Sequence, residues 1–553
     1  MMTDNEKIAE LLLPNIDKTP DYYESLYPAR NLKEGARVTR FAPSPTGYLH
    51  LGGLFGATAD KFVAAASGGV FILRIEDTDK KREIDDGISA IINGLKAFGV
   101  TPDEGVIDKD TEIGEYGPYV QSKRKDIYQC YVKELLRQGK AYPCFCTPEE
   151  LEGIRDKQEA EGVNKGYYGE WSKCRDLTLE QIEQNIKNGK SFVVRYRSEG
   201  IDNKKCYFDD LIRGKIEMQE NMQDVVLLKT DGIPTYHFAH IVDDHLMRTT
   251  HVIRGDEWIA STPIHLQLFA ACGFKPPKYA HTAAVMKDDN GGKRKLSKRK
   301  DPEAAVTYFI ERGYPALAVN EYLLTLLNSN FEDWRKANKE ANLTNFPYNL
   351  KKMSVSGALF DITKLNDISK NVISLYTAEQ VYDELLTYAK KYDNDFAELL
   401  VQDKENTIKM LGLDRGGKNP RKDIAKWDEV KEYFSYFFPD YYKENFNLPE
   451  SITKTDAALI LENYLKVYSE NDDKDAWFNR IKSICEPLGF TPNVKEFKQN
   501  PESFKGHVGD VSNVIRIAIT SRSNTPDLYT IMQILGNDEV IARITRAIEF
   551  YKN

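Results

Sequence analysis

The sequence predicts an α/β protein: a parallel-sheet domain carrying an inserted segment, followed by a mainly α-helical C-terminal region. Three observations predict it. "ARVTRFA" is a strand pattern and "GVFILRIE" a continuous apolar one, with helical patterns after each, from Gly52 to Ala66 and from Ile84 to Phe98. Strand, helix, strand, helix within about 60 residues is a parallel βαβα unit. From Gly99 to about Gln219 the pattern is mixed, and alternation then resumes through "DVVLLK", "IPTYHF", "THVIRG" and a helix from Glu257 to Ala271. Beyond Asp301 the periodicity is largely helical, as in "ALAVNEYLLTLL" and the aromatic "WDEVKEYFSYFFPDYY".

Each element has a local reason. Pro14 and Pro20 separate two short helical stretches, Glu6 to Leu13 and Asp21 to Ala29, which read as a surface extension ahead of Gly35. "GVFILRIE" is continuously apolar, as a strand buried on both faces should be. The mixed stretch holds a Gly/Pro-rich loop, a helix from Gln121 to Arg137 and short strands such as "SFVVRYR". A chain of 553 residues exceeds one core and should divide into about three to five domains. The net charge of -9 argues against indiscriminate coating of nucleic acid and leaves room for local basic patches. Seven scattered cysteines, no secretory pattern in "MMTDNEKIAELLLPNIDK" and no apolar run near the 20 residues of a membrane span point to a cytoplasmic protein without a membrane partner.

Two segments carry chemistry. "FAPSPTGYLHLGG", Phe41 to Gly53, lies between the first strand and its helix, where carboxyl strand ends and a helix N-terminus together favour phosphate. Alone it is weak, since Gly-rich strand-to-helix turns are often merely structural. "GGKRKLSKRKD" puts six basic residues between Lys293 and Lys300 behind a Gly-Gly hinge. As a flexible loop it would bring cations onto a transferring phosphate; by itself it reads as well as a solvated loop or a localisation signal.

Taken in order, "RFAPSPTGYLHLGG", "RIEDTD", "GPYVQSKR", "PTYHFAHIVDDHLM", "VIRGDEW" and "KLSKRK" resemble the glutamyl-tRNA synthetases of bacterial type. "HLGG" resembles the HIGH motif of class I aminoacyl-tRNA synthetases and "KLSKR" their KMSKS loop. The resemblance runs from about Thr39 to the C-terminus, through "FDITKL" and "RIAITSRSNTPDLYTIMQILG". Two departures stand out: Gly53 replaces the second histidine of HIGH, and Asp367 and Ser369 stand where the family usually has tryptophan and asparagine. The family implies a Rossmann-like catalytic domain in two halves, 37–99 and 221–301, around an acceptor-binding domain, 100–220. It implies a stem-contact domain, 302–400, and an anticodon-binding domain, 401–553, with 1–36 outside the match. The long helical tail argues against glutaminyl- and glutamyl-queuosine synthetases, and the intact motifs against a paralogue that only binds tRNA.

The resemblance also implies site residues. ATP would lie on Pro43, Thr46, Gly47, His50 and Gly52 and under Leu296, Ser297 and Lys298, with Lys298, His50 and Lys295 catalytic and Mg2+ accompanying the nucleotide. L-glutamate would meet Glu76 through its ammonium and Arg40 and Arg254 through its carboxylate, with Ser44, Tyr236 and His240 beside it. Gln121 and Arg124 would contact the acceptor end of tRNA-Glu; Arg415, Lys418, Arg421 and Lys422 form a candidate backbone contact, or a solvated loop. Whether tRNA-Gln is also charged stays open, and a monomer is the family default. "CFC" at Cys144 and Cys146, with Cys174, resembles a structural Zn2+ site; Tyr168 or a neighbour would be the fourth ligand, and buried free thiols are the alternative.

Overall fold

In the computed structural model, which describes residues 2–79, 84–297 and 299–553, Thr3 and Glu6 close a capping box that starts helix α1, Asp4–Leu12. Pro20 opens α2, Pro20–Leu26. These helices are tied to the body of the domain. Lys133 Nζ reaches Glu10 at 2.8 Å and the Ile16 carbonyl at 2.9 Å, and Arg30 forks onto Glu104 at 2.6 and 2.8 Å. Tyr23 and Tyr27 are buried, so the segment is strapped to the body by apolar and charged contacts together.

The sheet begins with β1, Val38–Phe41, followed by α3, Leu51–Ala65, and β2, Val70–Leu73. β1 and β2 pair in parallel, Arg40 opposite Ile72. Gly69 is needed just before β2, because a Cβ there would lie 1.9 Å from the Arg37 carbonyl oxygen. After α4, Gly87–Ala97, β3, Glu104–Asp108, joins β2 in parallel and β4, Thr111–Ile113, closes the edge antiparallel.

The segment expected to be wholly inserted gives strands to the central sheets at both its ends. Between them come α5, Lys125–Arg137, and a small antiparallel sheet with β5, Ala141–Cys144, at one edge. Helices α6, Pro148–Ala160, and α7, Leu179–Lys187, follow, then β6, Val193–Tyr196, at the centre of that small sheet. Next, β7, Lys205–Asp210, and β8, Gly214–Gln219, form a hairpin, and β9, Val226–Leu228, pairs with β6. "IPTYHF" is not a strand. Pro234 makes one bridge to Leu228, and Tyr236 starts α8, Tyr236–Leu246; proline ends the pairing and Thr235 takes the N-cap.

The second half of the sheet is β10, His251–Gly255, then α9, Thr262–Ala271, and β11, Lys278–Thr282. The order is β10-β11-β7-β8, with β10 and β7 both parallel to β11. The start of β10 is tied to the start of β1: Val38 N–H donates to Thr250 Oγ1 at 2.8 Å and Thr250 N–H to the Val38 carbonyl at 3.0 Å. The carboxyl ends of both strands therefore open into one crevice, where ligands of parallel sheets bind.

The described chain divides into two compact units, Met1–Ile310 with Val319–Ile362, and Glu311–Ala318 with Thr363–Asn553. The second is helical, as expected. One of its cores gathers Tyr382, Leu385, Trp427 and Tyr436, the other Ile460, Tyr464, Trp477 and Ile544. "WDEVKEYFSYFFPDYY" forms three short turns, Trp427–Glu429, Val430–Tyr433 and Ser435–Phe437, instead of one helix. Among the described residues no helix is long and apolar enough to cross a membrane.

Candidate active site

A cleft of about 1160 Å³ opens at the carboxyl ends of β1 and β10, and Arg40, Ser44, Glu76, Tyr236 and Arg254 all line it. β1 supplies Arg40, β10 supplies Arg254 one residue before its end, and the first turn of α8 supplies Tyr236. The sequence motifs thus converge from four separate stretches onto one cavity.

The floor is a buried ionic network that the sequence motifs did not point to. Asp244 accepts from Arg74 Nη1 at 2.8 Å and Arg40 Nε at 3.2 Å, and Arg74 Nη2 donates to Glu76 Oε1 at 3.0 Å. Burial opposes the charge on Asp244, but Arg40 and Arg74 outweigh it and hold the carboxyl well below the usual range. Burial pushes Glu76 up, with Arg74 and Arg40 pulling the other way. Arg74 and Asp244 were findable as charges inside apolar or helical runs, "FILRIE" and "HIVDDHL", where only a buried partner justifies them.

Arg254 differs from Arg40. It is nearly buried, its Nε donates to His281 Nε2 at 2.9 Å and its Nη2 to Thr262 Oγ1 at 2.9 Å, and its Nη1 lies 3.0 Å from His265 Nδ1. Among the described residues no carboxylate pairs with it. Burial lowers its pKa from the ordinary arginine value, as expected for a guanidinium with only neutral partners.

His240 is a correction. It is fully buried, does not line the cleft, and stacks behind Tyr236 with ring centres 5.7 Å apart. Its Nδ1 sits 2.7 Å from Asp244 Oδ2. As position five of α8, it falls one turn behind Tyr236 and faces the core. Trp258, unassigned from the sequence, lines the cleft against Tyr236, ring centres 4.5 Å apart.

Thr46, His50 and Gly52 line the cleft as well. His50 is the N-cap of α3: its Nδ1 accepts from Gly52 N–H at 2.9 Å, and its carbonyl takes Gly53 and Leu54 N–H. Pro43 and Gly47 do not line the cavity. The Pro43 carbonyl instead accepts Glu76 N–H at 3.0 Å, joining the turn to β2's end, and Gly47 shapes the same turn.

The basic segment is more ordered than a free loop. Asn290 and Gly291, both at positive φ, turn a hairpin between β12, Val285–Asp289, and β13, Gly292–Lys295. Gly292 is therefore in a strand, not a hinge. Lys295 lines the cleft. Leu296 is buried, its N–H on the Val285 carbonyl at 3.0 Å. Ser297 N–H donates to Asp301 Oδ2 at 2.9 Å, and Arg294 forks onto Asp301 at 2.6 and 2.7 Å. Lys298 lies outside the described residues.

The RNA assignments divide. Gln121 and Arg124 are each 1% exposed, Gln121 Nε2 donating to Asp243 Oδ2 at 2.9 Å and Arg124 Nε to Asp243 Oδ1 at 2.7 Å. A buried pair held by a carboxylate presents no donor to RNA, so both belong to the floor of the domain. Arg415 donates to the Leu411 and Ile373 carbonyls at 2.6 Å, and Arg421 pairs with Asp423. Lys418 and Lys422 are exposed.

Cys144, Cys146 and Cys174 come together, their sulfurs all within 4.8 Å of one another. Cys146 Sγ lies 3.6 Å from Cys174 Sγ and 3.4 Å from Tyr167 Oη. Two thiolates about 2.3 Å from a tetrahedral zinc stand about 3.8 Å apart, so the trio fits that ion. Tyr167 is the neighbour that fits beside them; Tyr168 turns to the Asn164 carbonyl instead.

Comparison with known proteins finds relatives along nearly the whole chain. Residues 37–367 match the family model "tRNA synthetases class I (E and Q), catalytic domain", and residues 420–548 match "Anticodon binding domain". A glutamate–tRNA ligase of Acetivibrio thermocellus is 51% identical over 99% of this chain and all of its own length, and one of Clostridium perfringens strain 13 is 51% identical over 98% of this chain and all of its own. The crystal structure of a glutamate tRNA ligase from Elizabethkingia meningosepticum in complex with its amino acid superposes with a TM-score of 0.74 at 30% identity, covering 93% of this chain and 99% of that one.

Proposed function

We propose a division of labour among the cleft residues from this premise: the chain belongs to the glutamate–tRNA ligases, class I aminoacyl-tRNA synthetases. It joins glutamate to tRNA, and ATP use with Mg2+ is general to its family. One observation carries the assignment of the amino-acid pocket. Arg254 is a buried cation with neutral partners, lining the cleft beside the buried carboxylate Glu76. A buried charge without a counter-ion is costly, and the side-chain carboxylate of glutamate supplies one. Glutamine's amide does not, which makes Arg254 the discriminating residue.

Glu76 then receives the substrate ammonium, Arg40 lies alongside, steadied by Asp244, and Tyr236 and Ser44 give neutral donors. ATP takes the side of Thr46, His50 and Gly52, with the N-terminus of α3 favouring its phosphates. The α-carboxylate of glutamate attacks the α-phosphorus in line; the bond to the bridging oxygen breaks, pyrophosphate leaves, and glutamyl-adenylate remains. Lys295, and Lys298 from the same segment, stabilise phosphate charge, so that positioning and electrostatics supply the acceleration. The terminal ribose hydroxyl of tRNA-Glu then takes the glutamyl group and releases AMP.

We assign residues 100–220 to the acceptor end, 302–400 to the tRNA stem and 401–553 to the anticodon, with Lys418 and Lys422 as phosphate contacts. A Zn2+ held by Cys144, Cys146, Cys174 and Tyr167 would brace the small antiparallel sheet structurally. The setting is cytoplasmic and the working form a monomer.

The test is charging of separate tRNA-Glu and tRNA-Gln transcripts with labelled glutamate by the parent and by Arg254→Ala. The variant should lose about 30- to 100-fold in kcat/KM for glutamate, the loss of a charge-assisted pair, with the KM for tRNA unchanged. Unchanged glutamate kinetics would remove Arg254 from the pocket.

A further inference from the structure

Arg254 leaves a question that the pocket assignment does not answer: what keeps a nearly buried guanidinium charged and fixed when, among the described residues, no carboxylate touches it. Its partners determine one another's protons. Arginine only donates, so each atom facing it must offer a lone pair. His281 Nε2 accepts from Arg254 Nε at 2.9 Å, hence its proton is on Nδ1, 2.7 Å from Asp210 Oδ2. Asp210 is in turn fixed by three backbone donors: Ile212 and Arg213 N–H on Oδ1, and His281 N–H on Oδ2, each at 2.9 Å. On the other side His265 Nδ1, 3.0 Å from Arg254 Nη1, must also be the acceptor. Its Nε2–H then points to His237 Nδ1 at 3.0 Å.

We propose that His281, set by Asp210, and His265, set by His237, are positioning residues that form a neutral acceptor cage, holding Arg254 charged and aimed for the glutamate side chain without neutralising it. The proposal rests on the assignment of Arg254 to glutamate above. A carboxylate in place of either ring would fix the guanidinium equally well but would compete with the substrate for it. The imidazoles instead keep the Asp210 charge one ring away from the guanidinium. Second partners that set a tautomer in this manner are a general device for orienting a ring.

The surroundings keep the rings neutral. Burial is the main cause holding both His281 and His265 below the ordinary imidazole value. Arg213 and Arg254 oppose a charge on His281, and Asp210 favours it; His240, Arg254 and His237 oppose one on His265, while Asp244 favours it. Tyr279 covers the other face, its ring centre 4.7 Å from the Arg254 guanidinium carbon and stacked 5.8 Å from His281.

The experiment measures glutamate and ATP KM separately, in aminoacylation by the full chain, for His281→Ala, His281→Gln and Arg254→Ala. The amide of glutamine keeps an acceptor for Arg254 and a donor for Asp210. His281→Ala should raise the glutamate KM about tenfold or more, the loss of one charge-assisted bond, with the ATP KM within about twofold, and His281→Gln should return most of that loss. Equal changes in both KM values, or none, would overturn the cage. So would a folded His281→Gln with no recovery. If His281→Ala does not fold, His265→Gln against His265→Ala carries the same comparison. Silent His281 variants beside a strongly impaired Arg254→Ala would reject the cage alone, and a silent Arg254→Ala would reject the pocket assignment with it.

Discussion

His240 shows how a residue on the right helix serves stability instead of the substrate. Burial depresses its imidazole to about 4, with Asp244 opposing the shift. In the unfolded chain the same ring takes up its proton near pH 6.5. Between those values the unfolded state binds more protons than the folded one, so stability falls as pH drops from about 6.5 towards 4. The full loss is of the order of 3 kcal/mol. His251, also held neutral by burial to about 4, contributes in the same window. Replacing His240 by asparagine should therefore flatten, without abolishing, the decline of the urea midpoint between pH 7 and pH 4.5. A slope equal to the parent's would mean that His240 does not titrate on unfolding.

At the scale of elements, the basic segment is a hairpin with an anchor. Asp301 is nearly inaccessible and gathers Arg294, Lys287 and the Ser297 N–H, so one carboxylate ties both strands of the hairpin and the chain just after Leu296, next to the Lys295 proposed to face phosphate. Asp301→Asn keeps the shape and removes the charge. It should lower kcat by about tenfold, the effect of a modest misplacement of phosphate-facing groups, while the glutamate KM stays near the parent's; an unaltered kcat would show that the anchor does not set Lys295. Asn290-Gly291 is a hairpin-turn signal that sequence reasoning missed; the Gly-Gly step and the cations behind it suggested a hinged loop instead, because charge carries no strand periodicity. The parallel sheet was legible because β2 is a short apolar run behind Gly68 and Gly69, and β1 is a short strand pattern between Gly35 and Pro43. Arg40, Glu76, Tyr236 and Arg254 were legible only through ordered motifs, since no local pattern says which buried charge faces a cavity. Gln121 and Arg124 misled for the same reason: a polar run beside a proline loop looks exposed, and only Asp243, more than a hundred residues on, explains why it is not.

For the molecule as a whole, charge sets how an acidic protein binds a polyanion. The net charge of -9 repels RNA at long range, so tRNA must be held by local cationic patches close enough to escape the overall field. The loop around Gly416 and Gly417 separates two kinds of cation. Arg415 donates to the carbonyls of Leu411 and Ile373 and Arg421 pairs with Asp423, tying the loop to its own helices, while Lys418 and Lys422 stand exposed. Replacing both lysines by glutamate should raise the KM for tRNA several-fold, leave the glutamate KM alone, and make log KM less steep against log salt by about 2, one unit for each phosphate no longer neutralised. Arg415→Ala should instead lower the thermal midpoint with little effect on the salt slope. If the lysine pair leaves both the tRNA KM and its salt dependence at the parent's values, this loop is solvated surface and the anticodon region holds RNA by stacking and uncharged donors.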